Sequence, residues 1–282
     1  MIREIHVNEV TKAVEELFIQ ANYYIGEDIK NSICEAITIE KSPTAKALLE
    51  QIYENYLIAQ NENIAICQDT GVAVLFISLG QDVHFVGGDF EEAIQLGVAQ
   101  AYEKGFLRKS IVKEPIYERV NTKNNTPAVI HLNIVPGQNV HIQALAKGFG
   151  SENMSVISML TPAHGEQGVL DTIVQAVKKA GPNPCPPIVV GVGVGGTFEK
   201  AAILAKKATA RPVGLYNPNP LYEQLEKKAL HQINQLGIGA GGIGGVTTGL
   251  SVNIEYAPTH IAGMPVAVNI CCHAARHAST TL

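Results

Sequence analysis

Three cysteine-bearing stretches combine thiols with residues that would present them rather than pack them: Cys67-Gln68-Asp69-Thr70-Gly71, Asn183-Pro184-Cys185-Pro186-Pro187, and Val268-Asn269-Ile270-Cys271-Cys272-His273. The first sets a soft metal ligand beside an amide, a carboxylate and a hydroxyl on a turn between apolar runs. Alone it fits an ordinary buried thiol followed by a polar turn, because free cysteine is among the most buried residue types. In the second, prolines on both sides fix φ and keep the backbone out of helix. That stiffness suits a preorganised ligand, and equally a rigid loop around a buried thiol. Thiolates from three stiff segments suit an iron–sulfur cluster, and supplying three where a closed cluster takes four leaves one iron open as a Lewis acid. The alternative is three unconnected core thiols. No C-x-x-C occurs, so the close ligand pairs of a zinc ribbon are absent.

The 282 residues, 46% hydrophobic and 17% charged, describe a globular rather than a disordered chain. Its 21 basic and 26 acidic residues include no basic block, so nucleic acid is not an expected partner. The charged start Met1-Ile2-Arg3-Glu4 is unlike a signal peptide, and no run reaches the roughly 18 apolar residues of a membrane helix. A cytoplasmic protein with no membrane partner is expected. Five cysteines, at 34, 67, 185, 271 and 272, do not make a disulfide framework in a chain this long.

Apolar periodicity predicts helices over 10–18, 29–39 and 44–59, with Cys34 in the core on the second. A strand follows over 72–78, then a helix over 90–104 that Gly105 ends. Residues 127–135 and 139–146 alternate as strands and are expected to pair through the Pro136-Gly137 turn. Further helices are expected over 168–180, 197–207 and 221–236, with strands over 188–194, 250–256 and 264–268. Fold class is therefore α+β: a helical amino-terminal region, 1–60, followed by mixed, largely antiparallel sheets packed with helices. With no linker or repeat, the chain reads as a single domain over 1–282.

Gly191, Gly193 and Gly196 satisfy the dinucleotide fingerprint G-x-G-x-x-G between a strand and a helix. No Asp or Glu falls between Glu199 and Glu223 to hold a ribose. Close strand–helix packing or active-site backbone is the preferred reading, and a nucleotide-dependent oxidoreductase the lesser one. Gly237 to Gly245 reads as a lid or a connector.

Several strings together resemble the iron–sulfur-dependent class I fumarases and L-tartrate dehydratases over nearly the whole chain: Cys67-Gln68-Asp69-Thr70-Gly71, Gly105-Phe106-Leu107-Arg108-Lys109-Ser110, Asn121-Thr122-Lys123-Asn124-Asn125-Thr126-Pro127, Lys147-Gly148-Phe149-Gly150-Ser151, Cys185-Pro186-Pro187 and Asn269-Ile270-Cys271-Cys272-His273-Ala274-Ala275-Arg276. The resemblance implies an alpha subunit whose Cys67, Cys185 and Cys272 ligate a 4Fe-4S cluster. Cys272 directly precedes the His-Ala-Ala-Arg stretch, whereas Cys271 is an extra thiol where relatives tend to carry glutamine. It implies substrate contacts from Gln68, Arg108, Gly148, Gly150 and Ser151, and catalytic roles for Gln68, Asp69 and His260. The implied reaction is reversible hydration of a dicarboxylate. Fumarate is preferred over tartrate because His273 and Gly148-Phe149-Gly150-Ser151 look more like the fumarase branch. A beta subunit, in an alpha2beta2 assembly, is the implied partner and source of the base. A non-catalytic cluster scaffold is disfavoured by the polar residues beside the thiols.

Overall fold

The computed structural model describes residues 2–282. In chain order they form β1 (Arg3–His6), α1 (Val7–Tyr23), α2 (Glu27–Ile39), α3 (Pro43–Glu62), β2 (Val72–Gly80), β3 (Val83–Val86), α4 (Phe90–Lys104), β4 (Val129–Val135) and β5 (Val140–Lys147). After these come α5 (Phe149–Glu152), β6 (Val156–Leu160), α6 (Gly165–Ala180), β7 (Ile188–Gly195), α7 (Phe198–Ala208), α8 (Pro220–Gln235), β8 (Gly249–Ala257), β9 (Met264–Cys271) and β10 (His277–Thr281). The class is α+β, and pairing is antiparallel except at β1–β3, β2–β4 and β7–β8. No helix among the described residues is long and apolar enough to cross a membrane.

The chain divides into two compact units where the sequence reads as one domain. The first takes the chain up to Ile25, Tyr56–Gly148 and Arg276–Leu282; the second takes Gly26–Asn55 and Phe149–Ala275. Because each unit is assembled from separated stretches, no linker marks a boundary in the sequence. The helical amino-terminal region is shared out, with α1 in the first unit and α2 in the second.

The first unit carries a sheet in the order β10-β5-β2-β4. Ala73, Leu75 and Ile77 of β2, with Ile142 and Ala144 of β5, pack under Val10, Val14 and Phe18 of α1 and Ile94, Val98 and Tyr102 of α4. The expected hairpin between β4 and β5 does not form. β2 lies between them, parallel to β4 and antiparallel to β5. β2 has a nearly continuous buried run, which demands a partner on each edge. The Pro136-Gly137 turn carries the chain across the end of β2, where Gln81 N–H donates to Val135 O at 2.9 Å and Asp82 N–H to Gly137 O at 3.1 Å.

The second unit carries the sheet β6-β9-β7-β8. Val190, Val192 and Val194 of β7 face Val169, Leu170 and Ile173 of α6 and Ala229 and Ile233 of α8. The opposite face of β7 carries Gly191 and Gly193, and α7 lies so close that a Cβ there would stand 2.1 Å from Ala205 O and 2.0 Å from Ala201 O. The fingerprint glycines therefore serve close strand–helix packing. Cys34, expected in the core, is exposed: α2 buries Ile29, Ile33 and Ala36, and Cys34 is rotated about 100° from Ile33 around the helix.

Gly193→Ala is expected to force α7 off β7 and to lower stability by about 1–3 kcal/mol, the usual cost of overpacking. Urea unfolding measures it, and an unchanged midpoint would remove the steric role given to this glycine.

Candidate functional site

The Cys67–Gly71 turn belongs to the first unit and is held from several sides. Ile66 N–H donates to Asn22 O at 2.9 Å. Asp69 folds the turn on itself, its Oδ1 accepting Gly71 N–H at 3.1 Å. The Arg276 guanidinium donates to Asp69 O at 2.5 Å and to Asn22 Oδ1 at 3.2 Å. From α4, the Tyr102 hydroxyl donates to Thr70 O and Gly71 O, both at 2.9 Å. Burial pushes that phenol well above its ordinary pKa, with Arg276 lowering it and Asp69 raising it to lesser extents, so it stays a proton donor. Cys67 is left half-buried and Gln68 exposed, the thiol 3.5 Å from Gln68 Oε1.

Arg108 is exposed, but its backbone is tied to this turn by Thr70 Oγ1, which donates to Arg108 O at 3.0 Å. Asn125, fully buried with φ +60°, bridges the same pieces. Its Oδ1 accepts Ser110 N–H at 2.6 Å and its Nδ2 donates to Gly71 O at 3.2 Å. Neighbouring Lys109 pairs with Glu103. Lys147 is buried with Nζ donating to Gly148 O at 3.0 Å. A Cβ on Gly148 would stand 3.2 Å from Asp69 Oδ2 and 3.3 Å from Arg276 Nη2, so a side chain there would crowd both groups.

Cys185 and Cys272 belong to the second unit. Cys185 is exposed with φ +55°, and Pro186–Pro187 after it is a cis bond. His273 N–H donates to Cys185 O at 3.4 Å, which puts the two cysteine segments side by side. The Gly237–Gly245 stretch is neither lid nor free connector: Gly241 N–H donates to Pro186 O at 2.8 Å, and a Cβ on Gly242 would meet Pro182 at 2.2 Å. It buttresses the Cys185 loop. Cys271 is the last residue of β9, buried and paired with Val189, whereas Cys272 lies just past the strand and is half-buried. Ser151, in α5, is buried beside Glu152. Asn269 Nδ2 donates to Glu152 Oε2 and to Ser155 Oγ, both at 2.9 Å, and Glu152 also pairs with Lys206. This network joins the Gly150-Ser151 turn to the strand that ends in the cysteines.

His260 stands apart from that cysteine pair. It follows β8 at the end where β7 terminates in Gly195, while Cys271 pairs with Val189 at the opposite end, about 20 Å away along the strand. Its ring Nδ1 accepts Ala262 N–H at 3.2 Å. Sequence reasoning did not single out Arg276, Asn125, Tyr102 or Asn22. Two of them lie inside motif strings, and only their burial shows what they hold. Among the described residues no three His, Cys, Asp or Glu side chains form a group that could hold a metal ion.

Comparison with known proteins fits this pattern of motif residues. The family model of fumarate hydratase (Fumerase) matches residues 11–281. The chain belongs to the fumarate hydratase family. It is 40% identical over 274 residues to the putative L(+)-tartrate dehydratase subunit alpha of Methanocaldococcus jannaschii, covering 96% of both chains. It is 30% identical to the L(+)-tartrate dehydratase subunit alpha of Escherichia coli K12 and to that of Shigella sonnei, covering 96% of this chain and 89% of each relative. The family is one of hydro-lyases, and each of these relatives is named an alpha subunit.

Asn125→Ala would remove the acceptor of Ser110 N–H and one of the two donors to Gly71 O, which keeps the Tyr102 hydroxyl, at a cost of about 1–3 kcal/mol. Denaturant unfolding is the measurement; a loss under about 0.5 kcal/mol, the range of an ordinary surface substitution, would show that Asn125 does not clamp the turn.

Proposed function

We propose that this chain is the alpha subunit of a 4Fe-4S hydro-lyase that interconverts fumarate and L-malate, with Cys67, Cys185 and Cys272 as cluster ligands. The observation that carries the reading is the contrast among thiols near the motifs. Cys67, Cys185 and Cys272 are each at least partly accessible on a braced turn or loop, whereas Cys271 is buried in β9. Accessible soft thiols on stiff segments fit an iron–sulfur group, and neighbouring residues on a strand end point to opposite sides, so one of Cys271 and Cys272 serves. When bound, the cluster supplies a Lewis-acidic iron for the leaving hydroxyl.

The chain's own residues orient the substrate. The planar Arg108 fork pairs with one carboxylate, which it can do bidentately. Thr70 and Asn125 hold the Arg108 segment against the Cys67 turn, which limits the orientations open to the substrate. Gln68 offers an amide for the other end, and Asp69, whose Oδ1 accepts Gly71 N–H, orients a proton-transferring group. Gly148, Gly150 and Ser151 let backbone and one hydroxyl approach. At about 20 Å along β7 from the cysteine pair, His260 is too far to touch a four-carbon dicarboxylate held beside those cysteines in the same chain. A beta chain, in an alpha2beta2 enzyme, contributes the base, and a reducing cytoplasm suits the thiols.

A second reading, L-tartrate dehydratase, is favoured by the relatives' names. Turnover of both substrates by the assembled alpha–beta enzyme decides between them.

Anaerobic reconstitution with iron and sulfide is expected to give about four irons per chain. Cys67→Ala, Cys185→Ala and Cys272→Ala should lose them, and Cys271→Ala should keep them. An iron-free wild-type chain under these conditions would return the thiols to a structural role. In the assembled enzyme, Arg108→Lys is expected to raise KM for the dicarboxylate about tenfold, the loss of one charge-assisted bond, and an unchanged KM would remove Arg108 from the site.

A further inference from the structure

We propose that the closed loop 111–122 of the first unit, with Ile116 and Tyr117 at its tip, is the docking element for the beta chain that completes the substrate site. The inference rests on the two-chain reading given above.

The loop is built and not slack. Its base is closed by the Val112–Asn121 bridge, by Lys113 N–H to Val120 O at 2.8 Å and by Thr122 N–H to Ile111 O at 2.9 Å. The Glu114 carboxylate organises the tip, accepting the N–H groups of Ile116 and Tyr117 at 2.6 Å and of Glu118 at 2.9 Å. These donors, that of Ile116 foremost, hold the carboxyl below its ordinary pKa. The order this imposes throws two large apolar side chains outward: Ile116 is 69% and Tyr117 85% exposed. An exposed tyrosine on a preformed turn is the kind of anchor that dominates interface energetics, because little conformational freedom remains to be lost.

What points to the beta chain is where the loop is rooted. Asn121 Nδ2 donates to Lys109 O at 2.8 Å, and Ser110 N–H donates to Asn125 Oδ1. The loop thus grows directly from the segment that carries Arg108. Phe106, 93% exposed, stands two residues before Arg108. The tyrosine and isoleucine at the tip offer on the order of 300 Å², over a third of the ~800 Å² that each partner gives to a standard interface. Arg108, Lys109, Lys113, Arg119 and Lys123 outnumber Glu114 and Glu118 on this stretch. The matching face is therefore an apolar pocket rimmed with carboxylates. A chain that supplies a base to a substrate held by Arg108 comes close to the segment from which this loop grows.

The test is the affinity of the purified chain for the beta chain of the same enzyme, measured anaerobically by calorimetry. Tyr117→Asp and the milder double variant Ile116→Ser/Tyr117→Ser are compared with Leu221→Asp, which changes an exposed leucine on α8. Thermal unfolding verifies that each variant is folded. The tip variants are expected to weaken beta-chain binding at least about tenfold, with Leu221→Asp unchanged. Binding as tight as wild type in both tip variants overturns the docking role and leaves the two-chain reading standing. A wild-type chain that binds no beta chain overturns both. Sedimentation showing that the tip variants dissolve a self-association while beta-chain binding persists assigns the loop to a second copy and also overturns the proposal.

Discussion

A buried guanidinium is the constraint on which the first unit depends. Arg276 is 3% exposed, and a charge removed from water is tolerated only where hydrogen bonds replace the lost hydration. Its Nη1 donates to Asp69 O and Asn22 Oδ1, while its Nε is buried without a hydrogen-bond partner, so three distant stretches must be correctly placed for the bonds that offset its burial. Asn22 is itself secured, its Nδ2 donating to Phe18 O at 2.9 Å and its carbonyl accepting Ile66 N–H. The backbone of Arg276 is tied in as well, its carbonyl accepting Ala146 N–H at 3.1 Å where β10 adds to β5. The Cys67–Gly71 turn is thereby immobilised without any of its exposed side chains being used for the purpose.

The second unit reaches the same end by different means. Cys185 occupies the left-handed region at φ +55°, which costs a non-glycine residue about 1 kcal/mol or more and persists only where the surroundings dictate it. The surroundings here are backbone: the Gly241 N–H on Pro186 O, the His273 N–H on Cys185 O, and Cys185 N–H donating to Pro182 O at 3.0 Å. Glycines supply the close approach, as they do where α7 lies on β7. At Gly191 and Gly193 the missing side chain permits contact with the backbone of α7, and the match to a nucleotide fingerprint is a by-product of that packing.

Much of the local structure was legible in the chain. The 90–104 helix ends at Gly105 as its periodicity and terminal glycine require, because those signals act within a few residues. The α5 turn and strands β1, β3, β6 and β10 were not read, being short segments with weak alternation that exist through their partners. The β4–β5 pairing was misread for a related reason: a turn dipeptide reports that the chain reverses, not which strand fills the gap. The apolar character of its helix suggests the core for Cys34, and one step of about 100° around the axis puts it outside.

The motif residues show the same division. Residue types alone mark the three cysteine stretches at 67–71, 183–187 and 268–273, since three thiols in such stiff or polar settings are unusual together as packing, whereas Arg108, and Cys272 over Cys271, are marked only by the family resemblance. Arg276, Asn125, Tyr102 and Asn22 carry no such local mark; an arginine or an asparagine reads as surface until its burial is seen. The sequence by itself determined the long helices, the strongly patterned strands and which side chains have chemistry to offer, because propensity and side-chain type are local properties. Only the tertiary structure decided that Cys271 is enclosed while Cys272 is accessible, that His260 lies at the far end of β7, and which buried polar groups brace the turns. Those outcomes depend on bonds between residues as far apart as Asn22 and Arg276, which no window of sequence contains.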